Sequence, residues 1–285
     1  MEDNYQLEQH VCRVCGEKRL NKVYKVKEMM YGTKDEFSYF VCENCKCMQI
    51  TEVPDNLGEY YGESYYGMGE RDAIQVPSKI CNSDRILDVG CGAGAYLLQL
   101  AEQGYGNLYG CDPFIEQDIR YSDRIYIRKC EISEMEGEYD KIRFSDSFEH
   151  VTNPLETLYA VKRLLSSQGK CEISLPVFPN AAWDVFGTNW YQLDAPRHIF
   201  LHSRQSMQYL CERAGLRIEE VIYDSTNSQF LRSYLYQLNI TLEEQLKCEV
   251  SQYMTKEDFD YFTSKVAVVN EKEYGDHARF VIVHA

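Results

Sequence analysis

The sequence has no run approaching the roughly 18–20 consecutive apolar residues needed to span a bilayer. Its amino terminus lacks the basic and then apolar regions of a signal peptide. It has neither a long run of lysine and arginine nor an internal repeat. These absences disfavour membrane-spanning, secreted and repeat proteins, and we expect a cytoplasmic protein.

Positive charge is scarce relative to negative charge. Thirty Lys and Arg stand against 45 Asp and Glu, which gives a formal net charge of −15. Such an acidic surface repels nucleic-acid backbones and gains nothing from anionic lipid headgroups. We therefore expect a small-molecule substrate, with neither nucleic acid nor membrane as a partner. The sequence leaves the oligomeric state open.

Twelve cysteines are a high count for a chain with no sign of secretion. Four of them form two Cys-x-x-Cys pairs, Cys12 with Cys15 and Cys42 with Cys45, separated by 26 residues. Two such pairs supply the four thiolates of a tetrahedral, structural Zn²⁺ site. Cys47 is an alternative ligand to Cys45. A redox role is disfavoured, because neither pair opens a helix after a core strand.

From residue 85 onward, short apolar segments alternate with segments of helical periodicity. This alternation predicts an α/β fold with a parallel, doubly wound, Rossmann-like sheet. The predicted helices cover 96–103, 155–165 and 203–214, and the seven predicted strands cover 85–89, 108–111, 125–128, 139–144, 170–175, 216–223 and 278–284.

A glycine-rich turn follows the first of these strands. Gly90, Gly92 and Gly94 stand at alternate positions after Asp88, and a helix follows. Glycines let a ligand approach the backbone, and a helix amino terminus favours an anionic group. The spacing differs from the Gly-x-Gly-x-x-Gly of dinucleotide binders, which disfavours a nicotinamide oxidoreductase. At the end of the next strand, Asp112 is placed to accept hydrogen bonds from ribose hydroxyls.

These residues resemble the class I S-adenosylmethionine-dependent methyltransferases. The string 88–94 is very similar to the first motif of that family, and 139–142 and 148–154 resemble later segments of many small-molecule methyltransferases. The resemblance covers about 85–223. It implies a Rossmann-like fold, S-adenosylmethionine as cofactor and methyl transfer as the activity.

The resemblance also implies which residues contact the cofactor. Glu131 would lie near the adenine amine, although Cys130-Glu131 stands where the family usually has Gly-Asp, and residues 145–149 would line the methionine moiety. The predicted cofactor-binding residues are Asp88, Gly90, Cys91, Gly92, Gly94, Asp112, Pro113, Glu131, Ile132, Ser145, Asp146 and Ser147.

Aromatic and polar residues are concentrated after the fifth predicted strand, where α/β enzymes bind ligands. Trp190, Asp194 and Arg197 lie here, and their chemistry suits a polar ligand such as a sugar. We predict that they bind substrate. The alternative is a structural loop in which Asp194 pairs with Arg197 and His198 caps the next helix.

A hydroxyl nucleophile improves as it loses its proton, so we predict a histidine as general base. His198 is the first candidate. His150 is the second, with shaping of the cofactor pocket as its alternative role. Tyr65 and Tyr66 are predicted to close over the bound ligand, and a linker or core role for them is equally open.

The segment around Arg197 and His198 is similar to that of bacterial methyltransferases of surface-polysaccharide and deoxysugar pathways, and more distantly to sugar C-methyltransferases with a four-cysteine zinc module. The resemblance implies O- or C-methylation of a sugar, nucleotide-sugar or related small metabolite, in polysaccharide biosynthesis. One alternative is methylation of a quinone or phenol. Another is a non-catalytic zinc-ribbon binding protein that retains the cofactor pocket.

The predicted organisation has three parts. A zinc-binding module covers 1–53, and a Tyr- and Gly-rich linker or lid covers 54–84. The methyltransferase domain covers 85–285 and carries a helical insertion at 228–265.

Overall fold

The computed structural model describes residues 5–61, 82–247 and 252–285. These residues form two sheets. The strands, in chain order, are β1 (Tyr5–Val11), β2 (Lys18–Lys27), β3 (Glu36–Val41), β4 (Met48–Ile50), β5 (Asn82–Val89), β6 (Tyr105–Cys111), β7 (Ile119–Ser122), β8 (Ile125–Arg128), β9 (Tyr139–Ser145), β10 (Leu165–Pro176), β11 (Phe200–Leu201), β12 (Leu216–Tyr223) and β13 (His277–His284).

Helices connect the strands of the second half of the chain. The α-helices are α1 (Ala95–Glu102), α2 (Pro154–Leu164), α3 (Ala181–Phe186), α4 (Arg204–Ala214), α5 (Ser228–Gln237), α6 (Leu242–Gln245) and α7 (Lys256–Glu271). Among the described residues, none of these helices combines the length and apolarity that a bilayer crossing requires.

The large sheet has the order β12-β13-β10-β9-β5-β6-β8-β7. Strands β5, β6, β8, β9 and β10 pair in parallel, as predicted. The chain runs outward from β5 through β6 and later returns to β9 on the other side of β5. Ligands of open α/β sheets bind at such a switch point, outside the carboxyl ends of the strands.

All seven predicted strands are present in this sheet, so the Rossmann-like α/β fold is confirmed. The sheet is nevertheless mixed, because β13 pairs antiparallel with both β10 and β12. It also has an eighth strand, β7, at its edge. The two central residues of β7 are exposed, so the strand has no apolar pattern that would predict it.

Apolar side chains cover both faces of the large sheet. On β5, Ile86 belongs to a cluster with Leu97 of α1, whereas its neighbour Leu87 belongs to a second cluster that includes Leu158 of α2 and Met207 of α4. Successive strand residues point to opposite faces, so helices must pack on both sides of the sheet. The predicted double winding is confirmed in this part of the fold.

The ends of the helices follow their sequence signals. Gly94, in the left-handed region at φ 79°, precedes α1, and Pro154 occupies the first turn of α2. Ser203 caps α4 by accepting a hydrogen bond from the backbone N–H of Ser206, and Gly215 ends that helix at φ 70°. The alternative in which His198 caps this helix is therefore wrong.

The small sheet has the order β1-β2-β3-β4-β11, with all neighbours antiparallel. Its last strand comes from the second half of the chain, where Phe200 pairs with Gln49 and Leu201 with Met48. The helical insertion also contacts this part of the molecule, since the N–H of Leu242 donates to the carbonyl of Met29 over 2.8 Å. The predicted boundaries at 53 and 84 stay a proposal.

A buried guanidinium joins the segment between β10 and β11 to the amino-terminal part of the chain. Arg197 has no exposed surface. Its Nε donates to Asp194 over 2.9 Å, its Nη2 donates to Glu28 over 2.9 Å, and its Nη1 donates to the carbonyl of Tyr60 over 2.8 Å. Glu28 is equally buried and also accepts from the backbone N–H of Thr33. This network fixes the segment 194–203 against the amino-terminal sheet.

Replacing Arg197 by Ala is expected to lower the free energy of unfolding by about 3–5 kcal/mol, because two buried carboxylates lose their counter-charge. Urea denaturation followed by circular dichroism measures this. The matched control is Arg204→Ala, whose partner Glu273 is 56% exposed and whose loss should cost about 0–1 kcal/mol. Equal, small losses in both variants would show that the network contributes little.

Candidate active site

A cavity of about 520 Å³ lies at the carboxyl edge of the large sheet. Its walls come from the connections that follow β5, β6, β8 and β9, and from the start of α2. Nine of the twelve predicted cofactor residues line it, namely Gly90, Cys91, Gly92, Asp112, Pro113, Glu131, Ile132, Asp146 and Ser147. Four separate segments of the sequence therefore converge on one site.

Some lining residues had no sequence signal that singled them out. These are Tyr61 from the amino-terminal part, Phe114, and a polar group at the start of α2 that includes Thr152, Asn153, Glu156 and Thr157. The rings of Tyr61 and Phe114 stack with their centroids 6.1 Å apart. These residues add aromatic rings and hydrogen-bonding groups to the lining of the cavity.

The glycine-rich turn is built for close approach. Gly90 has φ 73°, and a Cβ atom added there would lie 2.6 Å from Cβ of Ser147. The hydroxyl of Ser147 donates to the carbonyl of Val89 over 2.8 Å, which holds the turns after β5 and β9 together. Any side chain at position 90 would separate these turns, so the spacing of the cavity wall depends on this glycine.

Asp112 is held rigidly at the rim of the cavity. It is buried, and its carboxylate accepts hydrogen bonds from the backbone N–H groups of Gly92, over 2.8 Å, and Phe114, over 2.9 Å. Each carboxylate oxygen has two lone-pair directions, so the group retains acceptor capacity toward the cavity. This arrangement suits the hydroxyls of a ribose.

Asp88, Gly94 and Ser145 lie outside the cavity lining. Asp88 is buried and accepts a hydrogen bond over 3.1 Å from Arg143, whose guanidinium lies 4.0 Å from the ring centroid of Tyr96. Burial raises the pKa of Asp88 to about 6, although Arg143 opposes this effect. Asp88 therefore stabilises the start of the glycine-rich turn through its ion pair with Arg143.

His277 contacts Asp146, which lines the cavity. No sequence pattern predicted a role for His277. Its Nε2 lies 3.1 Å from Asp146, a cavity residue in the left-handed region at φ 48°, and its Nδ1 lies 2.6 Å from Asp224. Burial opposes a charge on His277, but hydrogen bonds to the two carboxylates outweigh it and raise its pKa to about 10. At neutral pH an imidazolium thus positions Asp146.

A family model described as a methyltransferase domain matches residues 70–221, just over half of the chain. The chain belongs to this methyltransferase family. Its predicted class as an S-adenosylmethionine-dependent methyltransferase is confirmed. No curated protein matches the methyltransferase.

Several solved structures are similar to the methyltransferase at low sequence identity. Geranyl diphosphate C-methyltransferase from Streptomyces coelicolor has a TM-score of 0.48 and 13% identity over 75% of this chain and 77% of its own. The cyclopropane synthase MmaA2 from Mycobacterium tuberculosis has a TM-score of 0.44 and 14% identity, over 71% and 79%. Phosphoethanolamine N-methyltransferase 2 from Haemonchus contortus has 0.44 and 19%, over 73% and 50%.

The two candidate bases of the methyltransferase lie side by side. The rings of His150 and His198 meet edge to face, with centroids 4.9 Å apart. His150 lines the cavity, whereas His198 is 5% exposed and lies behind it. Burial lowers the pKa of His150 to about 4 and also lowers that of His198, so both rings are neutral at physiological pH.

The three predicted substrate-binding residues of the described chain do not line the cavity. Trp190 is 1% exposed, and its indole N–H donates over 3.0 Å to the buried Asp276. Asp194 and Arg197 pair with each other, as in the alternative interpretation. In this structure they are core and interface residues, because each is buried against a polar partner of its own. Tyr65 and Tyr66 lie outside the described residues.

The four predicted cysteine ligands converge at one end of the small sheet. Their sulfur atoms all lie within 4.8 Å of one another. The Sγ atoms of Cys12 and Cys45 are 3.6 Å apart, as are those of Cys15 and Cys42. A tetrahedral Zn²⁺ with Zn–S bonds of about 2.3 Å separates its sulfurs by about 3.8 Å. The cluster therefore fits a zinc ion.

The backbone prepares these thiols for a metal. In each pair the chain turns back through a residue in the left-handed region, Gly16 at φ 74° and Lys46 at φ 59°. The amide of Gln49 donates to Sγ of Cys12 over 3.1 Å, and side-chain hydrogen bonding with Cys42 and Cys45 lowers the pKa of Cys12. A thiolate, the form that ligates metal, is favoured here.

The structure separates Cys47 from this cluster. Its Sγ lies 4.0 Å from Nδ1 of His202, and the residue is fully buried. Burial raises the pKa of the Cys47 thiol well above its ordinary value. Cys45, rather than Cys47, is thus the fourth member of the predicted site.

Replacing Cys12 by Ser is expected to remove about one equivalent of zinc per chain, because three thiolates cannot complete the tetrahedron. Metal analysis of freshly purified protein measures this, and Co²⁺-loaded protein should lose its thiolate-to-cobalt absorption. Cys130→Ser, a buried cysteine outside the cluster, serves as control and should keep both. A metal content that is unchanged in Cys12→Ser would remove the four-cysteine site.

The His277 network predicts a pH-dependent stability. Because its pKa is raised from 6.5 to about 10, His277 contributes stability that is fully present below pH 6.5 and is lost as the pH rises through 10. The difference in unfolding free energy between wild type and His277→Asn should therefore shrink over that window. A change of about 1–3 kcal/mol is expected, since both aspartates are partly exposed.

Urea denaturation at pH 6, 8 and 10 measures the difference. Asp123→Asn is the control, because this aspartate is 95% exposed in a surface pair and its small effect should not vary with pH. A constant difference between wild type and His277→Asn from pH 6 to 10 would mean that His277 is not held as an imidazolium.

Proposed function

We propose that the methyltransferase transfers the methyl group of S-adenosylmethionine to an oxygen, or a carbon, of a sugar, nucleotide-sugar or related small polar metabolite. The observation that carries this proposal is one cavity that joins the glycine-rich turn and Asp112 to the neutral imidazole of His150. In this proposal the turn and Asp112 form a nucleoside-binding rim, and His150 faces the same space.

The residues of the cavity fit the cofactor. The carboxylate of Asp112 is available for the ribose hydroxyls, and Glu131 and Ile132 border the side expected for adenine. Asp146 and Ser147 border the side expected for the methionine end. The cofactor supplies an activated sulfonium methyl group, so the protein has mainly to align the reactants and exclude water.

The proton of an attacking hydroxyl is best accepted at the imidazole pair. His150 lies on the cavity side, with its Nδ1 2.8 Å from the carbonyl of Arg197 and 3.3 Å from the hydroxyl of Tyr61. Since burial lowers its pKa to about 4, the ring is unprotonated at neutral pH and can accept a proton. In this proposal His198, the first candidate from sequence, does not contact the acceptor and packs against the ring of His150.

A polyhydroxylated acceptor agrees with the polar wall at the start of α2. Thr152, Asn153, Glu156 and Thr157 bring hydroxyl, amide and carboxylate groups to the cavity. The stacked rings of Tyr61 and Phe114 add apolar surface. Sugars have both polar and apolar surfaces, since their hydroxyls form hydrogen bonds and their C–H groups pack on aromatic rings. A role in polysaccharide biosynthesis follows from this substrate class.

Zinc has a structural role in this proposal. Cys12, Cys15, Cys42 and Cys45 would fill all four coordination positions, which leaves none for a substrate. The metal stabilises the small sheet, and that sheet in turn positions Tyr61 and the segment around His198. The hydroxyl of Tyr39 contributes by donating to the carbonyl of His198 over 2.8 Å.

Gly90→Ala is expected to weaken binding of S-adenosylhomocysteine at least tenfold, because the added Cβ would lie 2.6 Å from Cβ of Ser147. Isothermal titration calorimetry measures the affinity. The matched control is Gly58→Ala, where a Cβ meets no atom within 4 Å, and its affinity should equal that of wild type. No heat with cofactor on well-folded wild-type protein would overturn the proposal.

His150→Ala is expected to lower kcat by about 10²–10⁴-fold with little change in cofactor affinity. Because the pKa of His150 is about 4, wild-type kcat/KM should show no loss from this residue between pH 8 and 5. Methyl transfer from labelled cofactor to nucleotide-sugars and, in parallel, to phenols measures both. Turnover only with phenols would favour the quinone or phenol alternative, and cofactor binding without any turnover would favour a binding protein.

A further inference from the structure

A second cluster of metal-ligating groups lies next to the cavity. One ligand atom each from Glu149, His150 and His198 lies within 4.8 Å of the other two. We propose that these three residues bind a divalent transition-metal ion, separate from the four-cysteine site. The class of ion is set by the ligands, since two imidazoles and a carboxylate suit Zn²⁺, Fe²⁺, Co²⁺ or Mn²⁺.

The distances fit such an ion. Oε1 of Glu149 lies 3.7 Å from Nε2 of His198. Ligand atoms at about 2.1 Å from a tetrahedral Zn²⁺ are separated by about 3.4 Å. Oε1 of Glu149 and Nε2 of His198 therefore need to approach by only a few tenths of an ångström, and a ring nitrogen of His150 lies within 4.8 Å of both. Three protein ligands leave a further coordination position for water or a substrate oxygen.

The carboxyl group of Glu149 is otherwise unexplained. The residue has no exposed surface, and neither of its oxygens has a hydrogen-bond partner among the described residues. The 3.7 Å to His198 is too long for a hydrogen bond. A buried carboxylate without partners is strongly destabilising, whereas a bound cation would compensate both its charge and its missing contacts.

Both imidazoles are oriented as metal ligands are. Nδ1 of His198 lies 2.8 Å from the carbonyl of Gln192, and Nδ1 of His150 lies 2.8 Å from the carbonyl of Arg197. Metal-ligating histidines characteristically donate one ring N–H to a carbonyl or carboxylate, which fixes the ring and its tautomer.

The charges around the cluster favour a cation. Oδ2 of Asp194 lies 3.7 Å from Nε2 of His198. The negative charge of Asp146, a cavity residue, also acts on the carboxyl group of Glu149. The nearby guanidinium of Arg197 is already paired with Asp194 and Glu28. The imidazolium of His277 is likewise paired, with Asp146 and Asp224. Among the described residues, the ion-pair contact of Glu149 is with the ring of His198, and no lysine or arginine pairs with it.

Through His150 the ion would border the cavity and could bind an acceptor oxygen there. Any role of this kind in methyl transfer rests on the proposed function, and in the metal-bound protein His150 and His198 would act as ligands instead of proton acceptors. The binding of the metal itself does not rest on it.

The experiment uses the full chain with zinc in its four-cysteine site. Titration with Co²⁺, followed by calorimetry and visible absorption, is expected to show one further equivalent whose spectrum lacks thiolate-to-cobalt absorption. Glu149→Gln should weaken this second equivalent at least tenfold while zinc content stays the same. His10→Asn, which changes a half-buried histidine in the small sheet, is the matched control and should bind Co²⁺ as wild type does.

Thermal unfolding provides a second readout that does not depend on activity. Co²⁺ should raise the Tm of wild type and leave that of Glu149→Gln unchanged, because a ligand stabilises only the state that binds it. Absence of a second equivalent, or a second equivalent that Glu149→Gln does not weaken, would overturn the metal site. Binding without turnover would keep the site and reject the proposed function instead.

Discussion

The buried guanidinium of Arg197 is the contact on which the rest of the molecule depends. It joins Glu28 and the carbonyl of Tyr60, from the amino-terminal part, to Asp194 beside the candidate bases. Charges that leave water are stable only when every partner is in place. The cysteine module and the segment that carries His198 must therefore assemble together.

The active site consequently has two halves with different physical origins. The cofactor half is made by the carboxyl ends of parallel strands, and glycines there allow the backbone turns to approach closely. The proposed acceptor half lies where the two sheets meet. It is built from three ionisable groups, the buried Glu149 and His198 and the half-buried His150, whose protonation is set by burial and by neighbouring charges.

The apolar pattern predicted the strands well and their directions less well. All seven predicted strands exist, but a pattern of period two does not state whether a strand runs parallel or antiparallel, so the reversal of β13 was missed. Trp190 shows the same limit for side chains. Its aromatic ring predicted a contact with a sugar substrate. The fold instead buries the indole against Asp276, because a large ring is also a good core residue.

By itself, the sequence determined what depends on local spacing: the glycine turn before α1, the caps of α4 and the two cysteine pairs. Such features need only a few neighbouring residues, so their chemistry can be read along the chain. Only the tertiary structure decided which distant charges meet, as with Arg197 and Glu28, 169 residues apart, or His277 and Asp146, 131 apart. The physical reason is that burial and pairing of a charge depend on the whole fold, which no local pattern records.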